Sequence, residues 1–175
     1  MLSVWGFRTV NLIRDRGEVN KKIRELTELG GDYVLTETEF MKNRKDVLKN
    51  LYEPVKLALN GVGGRSALVV ASALERGGTV VSYGEMSGEN AQFSTSSFIF
   101  NDIIARGFAI MNFYNNPENA TKCDQIFHDL QELYKQNRLK SPDMDKWGMQ
   151  DYSKAIEHAV DHGHPKQLII EDTVL

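Results

Sequence analysis

The sequence predicts an α/β fold in which helices cover both faces of a parallel sheet. Short apolar runs that are rich in β-branched residues alternate with amphipathic stretches of ten residues or more. Strands that are separated by helices of this length form parallel sheets, because the chain must cross back to the same end of the sheet. With 175 residues, of which 41% are hydrophobic, the chain is long enough for one ordinary domain with a sizeable core.

The first part of the chain predicts two units that each consist of a strand and a helix. Residues 8–13 form an apolar, β-branched run that stops at a polar turn, residues 14–17, which indicates a buried strand. The helix that follows, 18–29, has apolar residues at helical spacing and closes at a glycine pair typical of a helix C-terminus. The second unit consists of a strand at 32–35 and a helix from 36 to about 51, which opens with a capping-box pattern at Thr36 and Glu39.

The middle of the chain continues this alternation around glycine-rich turns. Pro54 starts an apolar strand at 55–59, which leads into the turn 60–64 and a helix at 66–74. The glycine pair at 77–78 precedes another apolar strand, which runs from Thr79 to Tyr83 and is ended by a further glycine.

The last part of the chain predicts one clear amphipathic helix among less regular segments. In residues 119–137, six side chains share one helical face, namely Cys123, Ile126, Phe127, Leu130, Leu133 and Tyr134. The other predicted elements are a short helix within 94–104, a strand at 107–111, a loop at 140–147, a helix at 151–160 and a strand at 166–170.

Composition excludes several classes of partner. Lys and Arg number 21 against 24 Asp and Glu, the net charge is -3, and no block of five like charges occurs, which argues against nucleic acid and anionic membranes as partners. No apolar run reaches the ~18 residues that span a bilayer, so no membrane insertion is expected. Cys123 is the single cysteine, which favours a reducing compartment, and the first residues have neither a signal-peptide nor a presequence pattern.

The tripeptide Arg14, Asp15 and Arg16 follows the first predicted strand. In dinucleotide-binding folds, an acid at this place binds the ribose hydroxyls of NAD, whereas an arginine accommodates the 2′-phosphate of NADP. Two guanidinium groups match phosphate oxygens in a bidentate way and therefore form a plausible phosphate clamp. The alternative is a solvated polar turn, and the tripeptide alone leaves both interpretations open.

Two further turns follow predicted strands, where ligands bind in open α/β sheets. The segment 60–66 resembles the end of a phosphate-binding loop, but Leu59 occupies the place of its first glycine and Arg65 that of its lysine. We therefore interpret it as a tight strand-to-helix turn beside the cofactor. The segment Tyr83, Gly84, Glu85 and Met86 follows the next strand, and by itself indicates only a turn.

Neither the histidines nor the glycosylation sequon indicates a site. His158 and His162 are four residues apart on a predicted helix and His164 follows, but no glutamate in the metalloprotease position and no nearby cysteine accompany them, so no metal site is predicted. We expect that residues 119–121 fit the sequon by chance, because the first residues have no signal-peptide pattern.

Taken in order, these motifs resemble one enzyme family. The set 14–16, 59–64, 83–86, 106–108 and 166–169 is similar to the mitochondrial 2-enoyl thioester reductases of the medium-chain dehydrogenase/reductase superfamily, from about Gly6 to the C-terminus. These enzymes act in fatty acid synthesis and pass hydride from NADPH to the β-carbon of an enoyl-ACP or enoyl-CoA. The resemblance implies that Arg14, Asp15 and Arg16 hold the 2′-phosphate. It implies further cofactor contacts at Tyr83, Gly84, Glu85, Met86, Phe108, Ala109, Ile110 and Lys166.

The resemblance also implies a domain division and a gap in the sheet. Residues 1–140 correspond to part of a Rossmann-type NADPH-binding domain, and residues 141–175 to a segment of the catalytic, GroES-like domain. The first strand, the glycine turn and the catalytic tyrosine belong upstream, so we expect the chain alone to be an inactive fragment, an incomplete gene model or a degraded copy. Because the missing strand lies between the second and fourth in the order 3-2-1-4-5-6, we expect two unpaired inner edges.

The chain departs from the family pattern at two positions, and the resemblance also implies a dimer interface. Glu85 replaces a glycine that is usual in the family, and Ala109 replaces a large aromatic residue. Members of the family pair as homodimers through the last strand, which the apolar run places at Gly107 to Phe113; the alternative is an edge that the helix at 119–137 covers. The alternative functions are a quinone or alkenal reductase of the same superfamily, and a non-catalytic NADPH-binding remnant or partner subunit.

Overall fold

The computed structural model describes residues 2–15, 17–160 and 165–171, which form two compact units, Met1–Gln125 and Ile126–Leu175. The strands are β1 (Val10–Ile13), β2 (Tyr33–Thr36), β3 (Val55–Asn60), β4 (Leu74–Ser82), β5 (Ile104–Gly107), β6 (Met144–Gly148) and β7 (Lys166–Ile170). The helices are α1 (Val19–Glu28), α2 (Glu37–Lys49), α3 (Gly64–Ala71), α4 (Thr95–Asn101), α5 (Ile110–Asn115), α6 (Ala120–Lys135) and α7 (Tyr152–Val160). Among the described residues, no helix combines the length and the apolar character that a membrane span requires.

Every strand ladder in the described residues is parallel, which confirms the predicted α/β class with helices flanking a Rossmann-type sheet. In the first unit, β1 pairs with β2, and β3, β4 and β5 pair in that order. In the second unit, β6 pairs with β7. The described residues show no pairing of β1 with β3, so the gap expected between these two strands is present.

Local signals explain where the first two helices begin and end. After α1, Gly30 adopts a φ of 89°, and the amides of Gly30 and Gly31 donate to the carbonyls of Thr27 and Leu26, both at 2.9 Å. This is the Schellman arrangement that the glycine pair predicted. At the start of α2, Thr36 Oγ1 accepts from the Glu39 amide at 3.1 Å while the Glu39 carboxylate accepts from the Thr36 amide at 3.0 Å, which is the predicted capping box.

The core of the first unit consists of two clusters that meet at α3. One cluster contains Ala71 of α3 with residues of the three-stranded sheet, including Val80 of β4. The other contains Val69 of α3 with Phe40 of α2, and Leu12 and Leu35 of the β1–β2 sheet pack against it. Since Val69 and Ala71 lie on different sides of one short helix, α3 connects the packing of the two sheets without a strand ladder between them.

The prediction of a strand at 107–111 was wrong. The strand is β5, which ends at Gly107, and Ile110 begins α5. The amide of Phe108 still donates to the carbonyl of Ser82 at 2.9 Å, but Ala109 is the extended N-cap residue of α5, and its carbonyl accepts from the Phe113 amide at 3.2 Å. A short apolar run has no period that distinguishes a strand from the start of an amphipathic helix, which is why the strand was placed too late.

Other boundaries also differ from the prediction. Residues 140–147 were predicted as loop, but β6 begins within them at Met144 and pairs with β7. The strand predicted at 79–83 begins earlier, at Leu74, and runs through the glycine pair with a shift in its register to β3. The predicted helix at 66–74 correspondingly begins and ends earlier, as α3.

Candidate functional site

The carboxyl ends of β3, β4 and β5 meet at one edge of the three-stranded sheet. Asn60, which ends β3 and is only 2% exposed, donates from Nδ2 to the hydroxyl of Ser82 at 2.9 Å. The carbonyl of Asn60 accepts from the Tyr83 amide at 2.9 Å, and the carbonyl of Ser82 accepts from the Phe108 amide. These contacts hold the segments after all three strands side by side.

The glycine-rich residues 60–64, here called the β3 turn, have the conformation expected of a tight strand-to-helix connection. Asn60 Oδ1 accepts from the amides of Val62 and Gly63, at 3.2 and 3.1 Å. Gly63 and Gly64 have φ values of 81° and 49°, a region that glycine enters at little cost. The side chain of Asn60 therefore shapes the turn from inside the sheet.

The segment after β4, residues 83–92 and here called the β4 loop, lies along the β3 turn. The amides of Met86 and Ser87 donate to the carbonyls of Gly61 and Val62, at 3.2 and 2.8 Å. The predicted cofactor residues Tyr83, Gly84, Glu85 and Met86 are therefore placed by backbone hydrogen bonds, while Tyr83 and Met86 remain 59% and 79% exposed.

A cavity of about 310 Å³ lies where the gap between β1 and β3 meets the β3 turn. Its wall is mainly apolar and its polar groups belong to Asn60, Ser66 and Tyr83. The lining residues are Leu12, Leu59, Asn60, Gly61, Val62, Ser66, Val70, Tyr83, Gly84 and Met86. Ligand sites of α/β sheets have this position, at the carboxyl ends of the strands on either side of a change in strand order.

Arg14 and Asp15 directly follow β1 and are exposed. Hydrogen bonding from the side chain of Thr38, and then from that of Thr36, holds the pKa of the Asp15 carboxyl below its ordinary value of 3.8. Among the residues that the structure describes, Arg14 has no salt-bridge partner. Arg16, the third residue of the predicted clamp, lies outside the described residues.

The remaining predicted site residues divide between the two units. Phe108, Ala109 and Ile110 connect β5 to α5 beside the β4 loop, and Phe108 and Ile110 are partly exposed. Lys166 begins β7 in the second unit, where it is exposed and lies opposite Met144 in the β6–β7 ladder.

No metal centre occurs in the described part of the chain. There, no three or more His, Cys, Asp or Glu side chains come together as ligands would. His158 lies on α7, with its ring 5.2 Å from that of Trp147. His162 and His164 lie outside the described residues.

Sequence reasoning gave no individual role to three polar residues that shape the site. Asn60 had a signal, because an asparagine before glycine at the end of a strand favours a turn that its side chain closes. Ser82 and Ser87 had none, since their contacts with Asn60 and with the carbonyl of Val62 depend on the register of distant segments.

Comparison with known proteins identifies relatives, although no protein-family model matches the chain. The chain is 35% identical over 170 residues to a mitochondrial enoyl-[acyl-carrier-protein] reductase of Caenorhabditis elegans, which covers 97% of this chain and 49% of that protein. It is 38% identical to the enzyme of the same name from Rattus norvegicus, over 89% of this chain and 41% of that protein. The chain thus spans about half the length of the curated relatives it matches.

Solved structures give the same result. The chain superimposes on a complex of Etr1p with NADP and crotonyl-CoA with a TM-score of 0.81 and 27% identity, over 96% of this chain and 48% of that one. It matches a mitochondrial 2-enoyl thioester reductase Etr1p/Etr2p heterodimer from Candida tropicalis with a TM-score of 0.79 and 25% identity, over 94% of this chain and 48% of that one. The chain belongs to the 2-enoyl thioester reductases of the medium-chain dehydrogenase/reductase superfamily.

Proposed function

We propose that this chain is the cofactor-binding part of a longer, NADPH-dependent reductase of trans-2-enoyl thioesters. The observation that carries the proposal is the place of Arg14 just after β1. Arg14 is exposed, and it follows by two residues Leu12, which lines the cavity at the strand ends. A family relationship to enoyl-[acyl-carrier-protein] reductases supports it. NADPH, when bound, would supply a hydride to the β-carbon of the enoyl thioester.

The residues present fit this cofactor. Arg14 can donate two parallel hydrogen bonds to the 2′-phosphate, and Arg16 would add a second guanidinium. Asp15, whose carboxyl pKa is lowered by hydrogen bonding from Thr38 and then from Thr36, would orient this turn. Glu85 is the residue that fits least, because its carboxylate adds negative charge near an anionic ligand.

The strand ends would orient the rest of the cofactor. We propose that the cofactor is contacted along its length by Tyr83, Gly84, Glu85 and Met86. Its nicotinamide end would be contacted by Phe108, Ala109 and Ile110. We also keep Lys166 as a cofactor-binding residue, as the family resemblance implies. We keep the division into a cofactor domain at 1–140 and a catalytic-domain segment at 141–175 as part of this proposal.

We infer the substrates and the location from the names of the relatives. We propose an enoyl-ACP or enoyl-CoA as substrate and mitochondrial fatty acid synthesis as the process, because the relatives are named mitochondrial enoyl-[acyl-carrier-protein] reductases. No observation favours a quinone or alkenal reductase, or a non-catalytic remnant or partner subunit, over this function.

We also propose that the protein is a homodimer, and we place the pairing at β5 rather than at 107–113. In the three-stranded sheet, β5 is an edge, and all four of its residues are exposed. The helices before and after β5 in the sequence also expose apolar side chains, including Ile99 and Phe100 of α4 and Met111 of α5. Open strand edges and exposed apolar side chains are usually paired or covered.

The test is a steady-state assay of the full-length protein that contains this chain. We expect reduction of trans-2-enoyl-CoA with NADPH at a kcat/KM well above that with NADH, and above that for quinones with NADPH. Faster reduction of a quinone would contradict the substrate class, and equal use of NADH would contradict the role of Arg14.

A further inference from the structure

The β3 turn and the β4 loop are joined backbone to backbone. Five hydrogen bonds connect them, from Tyr83 N to Asn60 O at 2.9 Å, Met86 N to Gly61 O at 3.2 Å, Ser87 N to Val62 O at 2.8 Å, Gly64 N to Glu89 O at 3.0 Å and Gln92 N to Gly64 O at 3.1 Å. The Ser87 hydroxyl adds a bond to the carbonyl of Val62 at 2.7 Å. Although the bonded residues are more than 20 positions apart in sequence, the two segments therefore behave as one local structure.

The approach is closest at Gly63. A Cβ atom on this residue would lie 2.5 Å from the backbone carbonyl oxygen of Glu89 and 3.1 Å from the hydroxyl of Ser87. The nearer atom belongs to the backbone and cannot rotate away, in contrast to Gly64, where a Cβ would meet the carboxylate of Glu89. A side chain at position 63 would therefore require the β4 loop to move.

We propose that Gly63 is a positioning residue, which acts on the cofactor through the β4 loop by letting that loop lie against the β3 turn. The inference rests on the proposed function, since Tyr83 and Met86 of the loop line the cavity assigned to NADPH. A side chain at Gly63 would shift these two residues away from the cavity, while the chemistry at the nicotinamide would be unaffected.

The experiment compares Gly63→Ala with Gly88→Ala in the full-length protein. Gly88 is a matched control because it lies in the β4 loop itself and, like Gly63, has a positive φ, here 68°, but a Cβ there would meet no atom within 4 Å. We expect Gly63→Ala to speed amide hydrogen exchange across residues 83–92 and to raise KM for NADPH about tenfold with kcat nearly unchanged, as loss of uniform binding does. Gly88→Ala should change neither measurement to this extent.

Each outcome decides the inference. Equal exchange in the two variants would overturn it, as would faster exchange in Gly63→Ala with an unchanged KM. If Gly63→Ala does not fold, Ser87→Ala removes a contact from the loop side, and unchanged exchange and KM in that variant would overturn the inference as well. A wild-type protein that oxidises no NADPH would overturn the proposed function, and the exchange comparison would still decide the contact at Gly63.

Discussion

At the scale of single residues, cofactor choice can be tested at Arg14. Each charge-assisted hydrogen bond to a phosphate contributes roughly 1.5–3 kcal/mol, so Arg14→Ala should weaken NADPH binding about tenfold or more and leave NADH binding nearly unchanged. Isothermal titration with both cofactors measures this difference. Arg8→Ala is the control, because Arg8 precedes β1 and its guanidinium lies over the ring of Tyr52, 4.4 Å from the centroid. An equal loss for NADH and NADPH would contradict the clamp.

The titration of Asp15 provides a second test in the same turn. Hydrogen bonding from Thr38 lowers the pKa of Asp15, so its contribution to stability is complete above pH 3.8 and is lost as the pH falls through the lower folded-state value. Thr38→Val should raise this pKa back toward 3.8, as measured by carboxyl ¹³C NMR. In the control Thr27→Val, which removes a hydroxyl that bonds within α1, the pKa should not move. An unchanged pKa in Thr38→Val would contradict the hydrogen bond.

Only the parts of the site that depend on local sequence pattern could be predicted. Tyr83 and Gly84 were predicted to follow a strand at the ligand edge of an α/β sheet, and both line the cavity at that edge, while their role toward a cofactor stays a prediction. The bond from Asn60 to Ser82 spans 22 residues, and no local pattern encodes it. It depends on the register of β3 against β4, which tertiary packing decides.

At the scale of elements, the capping box of α2 should carry measurable stability. Thr36→Ala removes the acceptor for the Glu39 amide and should lower the free energy of unfolding by about 0.5–2 kcal/mol. Ser94→Ala is a matched control, because Ser94 holds the same position before α4 but makes no side-chain cap hydrogen bond. Urea denaturation of both variants measures the difference. An equal loss of unfolding free energy in both variants would show that the capping-box hydrogen bonds do not stabilise α2.

Elements with strong local signals were predicted well, and elements that depend on a distant partner were not. α1 and α2 carry their own caps, so their bounds were correct within a few residues. β6 has the polar sequence of a loop and becomes a strand because β7, about 20 residues later, pairs with it. The run after Gly107 satisfied the pattern of a strand, but β5 already occupies the edge of the sheet.

At the scale of the whole molecule, the free edge at β5 can be tested by assembly. Ile104 begins this strand and is 43% exposed. Ile104→Lys places a charge on the edge and should convert a dimer into monomers, as measured by sedimentation equilibrium. The control is Ile156→Lys, since Ile156 is exposed on α7, away from this strand in the sequence. A wild-type protein that sediments as a monomer at micromolar concentration would refute the pairing.

The gap between β1 and β3 also has a consequence for folding kinetics. Every ladder in the described residues joins strands that follow one another along the chain. Such local pairings lose less chain entropy on closure than distant ones and form earlier. In the order 3-2-1-4-5-6, a strand that fills the gap would pair locally with β1, the next strand along the chain, but its pairing with β3 would close a longer loop and would form later. Pulse-labelled hydrogen exchange during refolding of the full-length protein should therefore protect the β1–β2 and β3–β5 ladders before the inner edge of β3.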